Sequence, residues 1–194
     1  MTKRILDVSS LSKQVGLNDG VLVLRPKARK MFEVSLPIID NPLPDDIVVC
    51  DLREIIDCSS SFVDEFILGW QRIIMGIPNT MLILINMSED VQYTVEAALN
   101  QGNQIHKESL SLIAQINDGF TILGNKLENN ALQVFRLMAN GKHTTVREVA
   151  DTFNLELNSA GNRLKKLYDA HVVVRAEQSA DAGGKFEYYI PLVQ

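Results

Sequence analysis

A chain of 194 residues with 46% hydrophobic and 22% charged side chains has the composition of a folded globular protein, which excludes a disordered chain. A net charge of -5 argues against a nucleic-acid surface spread over the whole molecule. Two cysteines, Cys50 and Cys58, with isolated histidines at His106, His143 and His171, exclude a disulfide framework and give no close-spaced ligand set for zinc.

At the start, Met1-Thr2-Lys3-Arg4-Ile5-Leu6 is basic but runs into Asp7-Val8-Ser9-Ser10, so no signal peptide is expected. The strongly apolar stretch Met81-Leu82-Ile83-Leu84-Ile85 is strand length, far below the roughly 20 residues a spanning helix needs. A cytoplasmic protein with no membrane partner is the expectation.

In chain order, Asn18-Asp19-Gly20 is a turn before a short strand, Gly20 to Arg25, and Ala28 to Leu36 is a brief helix ended by Pro37. Pro37 to Pro44 connects to Ile47 through Leu52, a β-branched run ending in Asp51-Leu52-Arg53, of the kind that fills a central strand covered on both faces. Cys50 sits in that run as a small hydrophobe. Ser59-Ser60-Ser61 offers caps for a helix from Phe62 to Ile74, whose Phe62, Phe66, Trp70, Ile73 and Ile74 give it a broad apolar face. Asn79 precedes a second buried strand, Met81 to Ile85. Ser88, Glu89 and Asp90 open another helix to about Asn100, with acids at the positive end of its dipole. Leu110 to Ile116 and Phe120 to Leu123 flank Asn117-Asp118-Gly119 as a hairpin. The fold class is therefore α/β, with helices against one mixed sheet.

The polar stretch Gly124 to Asn130 separates residues 1–126 from residues 127–194. Charge changes across it: residues 1–128 carry 11 Lys+Arg against 17 Asp+Glu, and residues 129–194 carry 8 against 7. The last third is thus free to present a local basic face. Its first helix, Ala131 to Ala139, stops at Asn140-Gly141. A second starts at Thr145, three residues before Glu148 in a capping box, and spaces Val146, Val149, Ala150 and Phe153 at helical period. Asn158 is the expected cap of a third helix, with Leu155 plugging the turn.

In that third helix Ala160, Leu164, Leu167 and Tyr168 form a buried stripe. The opposite stripe holds Ser159, Asn162, Arg163 and Lys166, with Lys165 on its flank, all able to donate to phosphate or to a base edge. Val172 to Ala176 and Phe186 to Ile190 pair around a loop whose Gly183-Gly184 supplies left-handed backbone, with Lys185 at its base.

From Ala131 to Pro191 the chain resembles the winged helix-turn-helix superfamily of prokaryotic transcription regulators. The resemblance implies double-stranded DNA as partner, Ser159, Asn162, Arg163 and Lys166 as recognition positions, Lys165 near a phosphate and Lys185 as the wing contact. It also implies a homodimer on half-sites about one helical turn apart. Many winged helices instead bind protein, and Glu177 and Asp181 in the wing suit that alternative.

From about Gly20 to Gln115 the chain resembles the STAS domain of sulfate transporters and anti-sigma-factor antagonists. It is closer to the STAS-like domains of unknown function that accompany DNA-binding segments in prokaryotic proteins. The likeness lies in Ile47 through Phe66: strand, Asp57-Cys58-Ser59-Ser60-Ser61, helix. The resemblance implies Ser59 as a phosphoacceptor and a regulatory protein as partner. Cysteine in place of the first hydroxyl and serine in place of a glycine depart from the pattern, and a plain capping role is the alternative.

Asp51, Asp57, Asp64 and Glu65 raise magnesium chemistry. The sequence shows no Walker-type loop, no histidine near these acids and no nucleophile-elbow glycines around a serine. A regulator without cofactor or metal, rather than an enzyme, is the expectation.

Overall fold

A computed structural model of the chain describes residues 2–39, 42–117, 119–124, 127–178 and 185–191. At its centre Ile47–Asp51 (β3) lies parallel to Met81–Ile85 (β5), with Ile47 beside Met81 and Val49 beside Ile83. Lys3–Asp7 (β1) pairs parallel on the other side of β3. Ser111–Ile116 (β6) continues the parallel order beyond β5, and Gly119–Gly124 (β7) returns antiparallel, giving the five-stranded order β1-β3-β5-β6-β7. Val21–Leu22 (β2) and Asp57–Cys58 (β4) make a separate two-stranded parallel pair.

The side chains of β3, β5 and β6 alternate between two apolar environments, as the strand period of two requires. Val48, Cys50, Leu82, Leu84, Leu112 and Ala114 point to one face. There they meet the helices Val8–Gln14 (α1), Arg25–Ile39 (α2), Ser60–Ile74 (α3) and Glu89–Ile105 (α4), through buried Leu11, Met31, Phe62, Phe66, Trp70, Val95 and Leu99. Burial pushes the Cys50 thiol up, and the Cys58 thiol up to about 12, so both stay protonated and pack as small apolar groups.

The second face holds Ile47, Val49, Met81, Ile83 and Ile113, and the C-terminal unit covers it. That unit runs Asn129–Met138 (α5), Thr144–Thr145 (β8), Val146–Phe153 (α6), Leu157–Asp169 (α7), Val174–Glu177 (β9) and Phe186–Tyr189 (β10), with its strands in the order β8-β10-β9. Ala131, Val134, Phe135 and Met138 of α5 and Val172 to Val174 join the same apolar cluster as the sheet. The architecture is therefore two-part α/β: a mixed sheet with helices on one face, and a helical unit with a small antiparallel wing on the other.

Polar bonds fix this joint. Asn79, at φ +56, accepts the Arg175 amide at 2.8 Å through Oδ1 and donates to the Arg175 carbonyl at 2.9 Å through Nδ2. His171 Nδ1 lies 2.8 Å from the Thr80 carbonyl.

Several local features differ from the sequence reading. The basic start is an edge strand, β1, whose single buried hydrophobe is Leu6; Arg4 instead pairs with buried Asp46 at 2.7 Å, so hydrophobicity alone gave little signal. The Gly20 to Arg25 segment contributes a strand of two residues, and Gly20, at φ +73, has no room for a side chain because a Cβ would lie 2.5 Å from the Glu54 carbonyl. Pro37 does not end α2 but sits in its last turn, where it costs one amide bond near a terminus that would fray anyway. Asp118 of the expected hairpin turn, Asn125 and Lys126 lie outside the described residues.

Candidate nucleic-acid interface

The helix-turn-helix-like element is built by local chemistry. Thr145 caps α6 and accepts the Glu148 amide at 3.2 Å, while Glu148 Oε2 accepts the Thr145 amide at 2.8 Å, so both halves of the capping box form. Asn154 ends α6 in left-handed backbone, and the Leu155 amide folds back onto the Ala150 carbonyl at 2.9 Å. This turn aims α7 across α6. The cap of α7 is Glu156, without a side-chain hydrogen bond, and the helix starts at Leu157. Asn158 therefore lies in the first turn and does not cap it.

The inward stripe of α7 is Ala160, Leu164 and Leu167, each fully buried, with Tyr168 half-buried at its edge. The outward side exposes Ser159, Asn162, Lys165 and Lys166, together with Asn158. Arg163 is half-buried on the flank toward α6, its guanidinium 5.9 Å from the Phe153 ring centre. α7 packs on α5 and α6, so its outward side is turned away from the large sheet.

Two acids missing from the sequence-level stripe approach it. Asp169, one helical turn after Lys165, pairs with Lys165, and Glu128 accepts Lys166 Nζ at 2.7 Å. The hydrogen bond from Lys166 also holds the Glu128 carboxyl below its usual range. These pairs are exposed and screened by salt, so the lysines can exchange partners at low cost. The spacing of Lys165 and Asp169 was visible in the sequence; that of Glu128 and Lys166, far apart along the chain, was not.

In the wing, Lys185 is exposed with Nζ 5.1 Å from the Phe186 ring centre, and its carbonyl accepts the Gln178 amide at 3.1 Å. Residues 179–184, including Asp181 and the Gly183-Gly184 pair, lie outside the described residues. β8 adds a third strand to the wing that the sequence reading omitted, because two residues carry no periodicity. Arg175 of β9 was also missed. Its guanidinium lies between the rings of Tyr168 and Phe186, 4.3 and 4.2 Å from their centres, and locks α7 to the wing. Between α7 and the wing is a hollow of about 800 Å³ lined by Val146, Leu157, Gly161, Asn162 and Tyr188 among others.

Ser59, in the first unit, is the N-cap of α3: its half-buried hydroxyl accepts the Phe62 amide at 3.3 Å and lies 3.2 Å from Ser61 Oγ. The nearby acids are engaged. Asp57 accepts the Cys58 amide at 2.7 Å. Asp64 pairs with Arg25 at 3.2 Å and Arg72 at 2.9 Å, and Glu65 with Arg25 at 3.2 Å and Arg29 at 2.9 Å. Asp51 accepts from Asn86 at 2.8 Å and from the Arg53 amide at 3.0 Å. No protein-family model matches the chain, and no curated protein matches it.

Proposed function

We propose that this protein is a DNA-binding transcription regulator rather than an enzyme, in which α7 enters the major groove and the STAS-like sheet unit receives a signal or a partner. The single observation carrying the reading is the two-sidedness of α7: Ala160, Leu164 and Leu167 are sealed inside, while Ser159, Asn162, Lys165 and Lys166 are exposed on a side turned away from the sheet. A helix with its side chains is about 10–12 Å across, which matches the major groove's width of about 12 Å. Asn162, central on that side, and Arg163, on its flank, are assigned to base edges; Ser159, Lys165, Lys166 and the wing's Lys185 are assigned to backbone phosphates. One such helix covers few base pairs, so a homodimer on half-sites about 34–36 Å apart is proposed.

Selection against random duplex DNA at two salt concentrations tests this. The reading expects a two-fold symmetric motif and an affinity that falls steeply with salt. Failure to retain any duplex at low salt would refute it.

A second reading, a protein-interaction component controlled through Ser59, is favoured by one observation. Leu157 is 53% exposed at the mouth of the hollow between α7 and the wing, where an apolar partner side chain would fit. In that case the selection yields no motif and Leu157→Asp abolishes partner binding.

A further inference from the structure

The C-terminal unit leaves part of the second sheet face open. Over the carboxyl ends of β3, β5 and β6, and along the first half of β1, lies a cleft of about 660 Å³, within the roughly 300–1,000 Å³ of small-molecule sites. Ligands of open parallel sheets bind at this end of the strands, because the loops there converge while the strands supply a rigid floor. Here the accessible floor is Ile5 and Ile85, above the fully buried Val49. Ile5 is 51% exposed, an apolar side chain left uncovered on the edge strand of the sheet.

The chemistry of the walls selects the ligand. The cleft holds two cations, Lys3 and Arg53, and two carboxylates, Asp51 and Glu89, so its formal charge is balanced. Asp51 is already bound by Asn86 Nδ2 and the Arg53 amide, and its carboxylate lies 3.6 Å from the Arg53 guanidinium. A charged ligand would have to break that set. The unspent capacity is carboxamide: Gln115 and Asn117 line the cleft, and neither side chain makes a hydrogen bond within the described chain. A side-chain amide offers a donor and an acceptor side by side, matching the N6 and N7 edge of adenine. A flat sheet floor suits the face of a planar ring.

From this cleft we infer a binding site for an uncharged purine nucleoside of the adenosine type, its base lying on Ile5 and Ile85 and its edge met by Gln115 or Asn117. The floor belongs to the same sheet face that carries the C-terminal unit, through Ile47, Met81, Ile83 and Ile113. The consequence that occupancy alters duplex affinity rests on the regulator reading; the binding itself does not.

The test is calorimetric titration of the full chain, without DNA, using adenosine and AMP, on the wild type and on Gln115→Leu and Ile5→Glu. Both positions are partly or largely exposed, so the variants should melt as the wild type does; were Gln115→Leu to unfold, Ile5→Glu decides alone. The expected result is adenosine binding that weakens about tenfold in Gln115→Leu, the value of one hydrogen bond, and disappears in Ile5→Glu. No adenosine binding, equal binding by wild type and a folded variant, or binding of AMP but not adenosine would each overturn the inference. Because DNA is absent, failure here is distinguishable from failure of the regulator reading, which the duplex selection tests separately.

Discussion

The two faces of the central sheet are closed in different ways. One is covered by α1 to α4, helices that lie between or beside the strands they cover; the other is covered by α5 and the Val172 to Val174 segment, which follow the whole sheet in sequence. The first is the ordinary solution for parallel strands, whose crossover helices must lie on a face. The second makes the helix-turn-helix-like unit a structural layer of the protein. A unit mounted in this way cannot swing on a tether, and a change in the sheet is transmitted to it through packed side chains.

The comparison breaks most visibly at the joint. Phe135→Ala, at a side chain 4% exposed in the apolar cluster that α5 shares with the sheet, should cost about 3–5 kcal/mol. The only tryptophan, Trp70, is buried on the opposite face, yet its fluorescence should report the loss as a lower urea midpoint. An unchanged Trp70 transition would mean that the two faces fold independently.

Next in size is Asn79→Gly. Glycine tolerates the left-handed backbone at this position, so the change removes the bonds to Arg175 without adding strain. We expect a loss of about 1–3 kcal/mol and faster hydrogen exchange at the Arg175 amide. Unaltered exchange would show that packing alone holds the wing.

Gly161→Ala separates stability from recognition on α7. A Cβ there would meet Val146 at 3.8 Å, ordinary contact, so the substitution should stabilise the fold by about 1 kcal/mol in thermal melts. If duplex affinity falls meanwhile, the glycine serves close approach to DNA; if both rise or stay level, it serves neither.

The first face also shows how much was legible. Ile47 to Cys50 and Met81 to Ile85 read as buried strands because their apolar residues are continuous, and the first four residues of each strand are buried. What covers the second side was not legible, since no local period encodes that residues as distant as Met81 and Phe135 join one apolar cluster. At the candidate site, helical spacing identified Leu164 and Leu167 as inward and Lys166 as outward. It placed Arg163 too far out, because its packing on Phe153 depends on how α6 crosses α7. The partnership of Arg175 with Tyr168 and Phe186 needed the tertiary fold in the same way.

Smaller effects follow from the exposed charges. Glu128→Gln should leave the thermal midpoint essentially unchanged, yet strengthen duplex binding by releasing Lys166. Anisotropy titration of a selected duplex measures this, and an unchanged affinity would remove Lys166 from the interface. At the first face, Asp7 caps α1, and the Ser10 amide, followed by the Ser10 hydroxyl, holds its carboxyl below the ordinary value of 3.8. A folded-state value lower than the unfolded one gives stability that is present above about pH 3.8 and disappears as pH falls through the folded-state value. Asp7→Asn should flatten this acid limb in pH-dependent melts; an identical limb would mean that the cap is not maintained in solution.

The most direct test of the account is duplex titration of the wild type against Lys165→Ala/Lys166→Ala at several salt concentrations. Both lysines are exposed, so folding should be preserved. The account predicts weaker binding to every duplex and a log affinity against log salt slope smaller by about 1.8, from two lost phosphate contacts. Equal affinity and equal slope would contradict the assignment of the outward side of α7 to DNA.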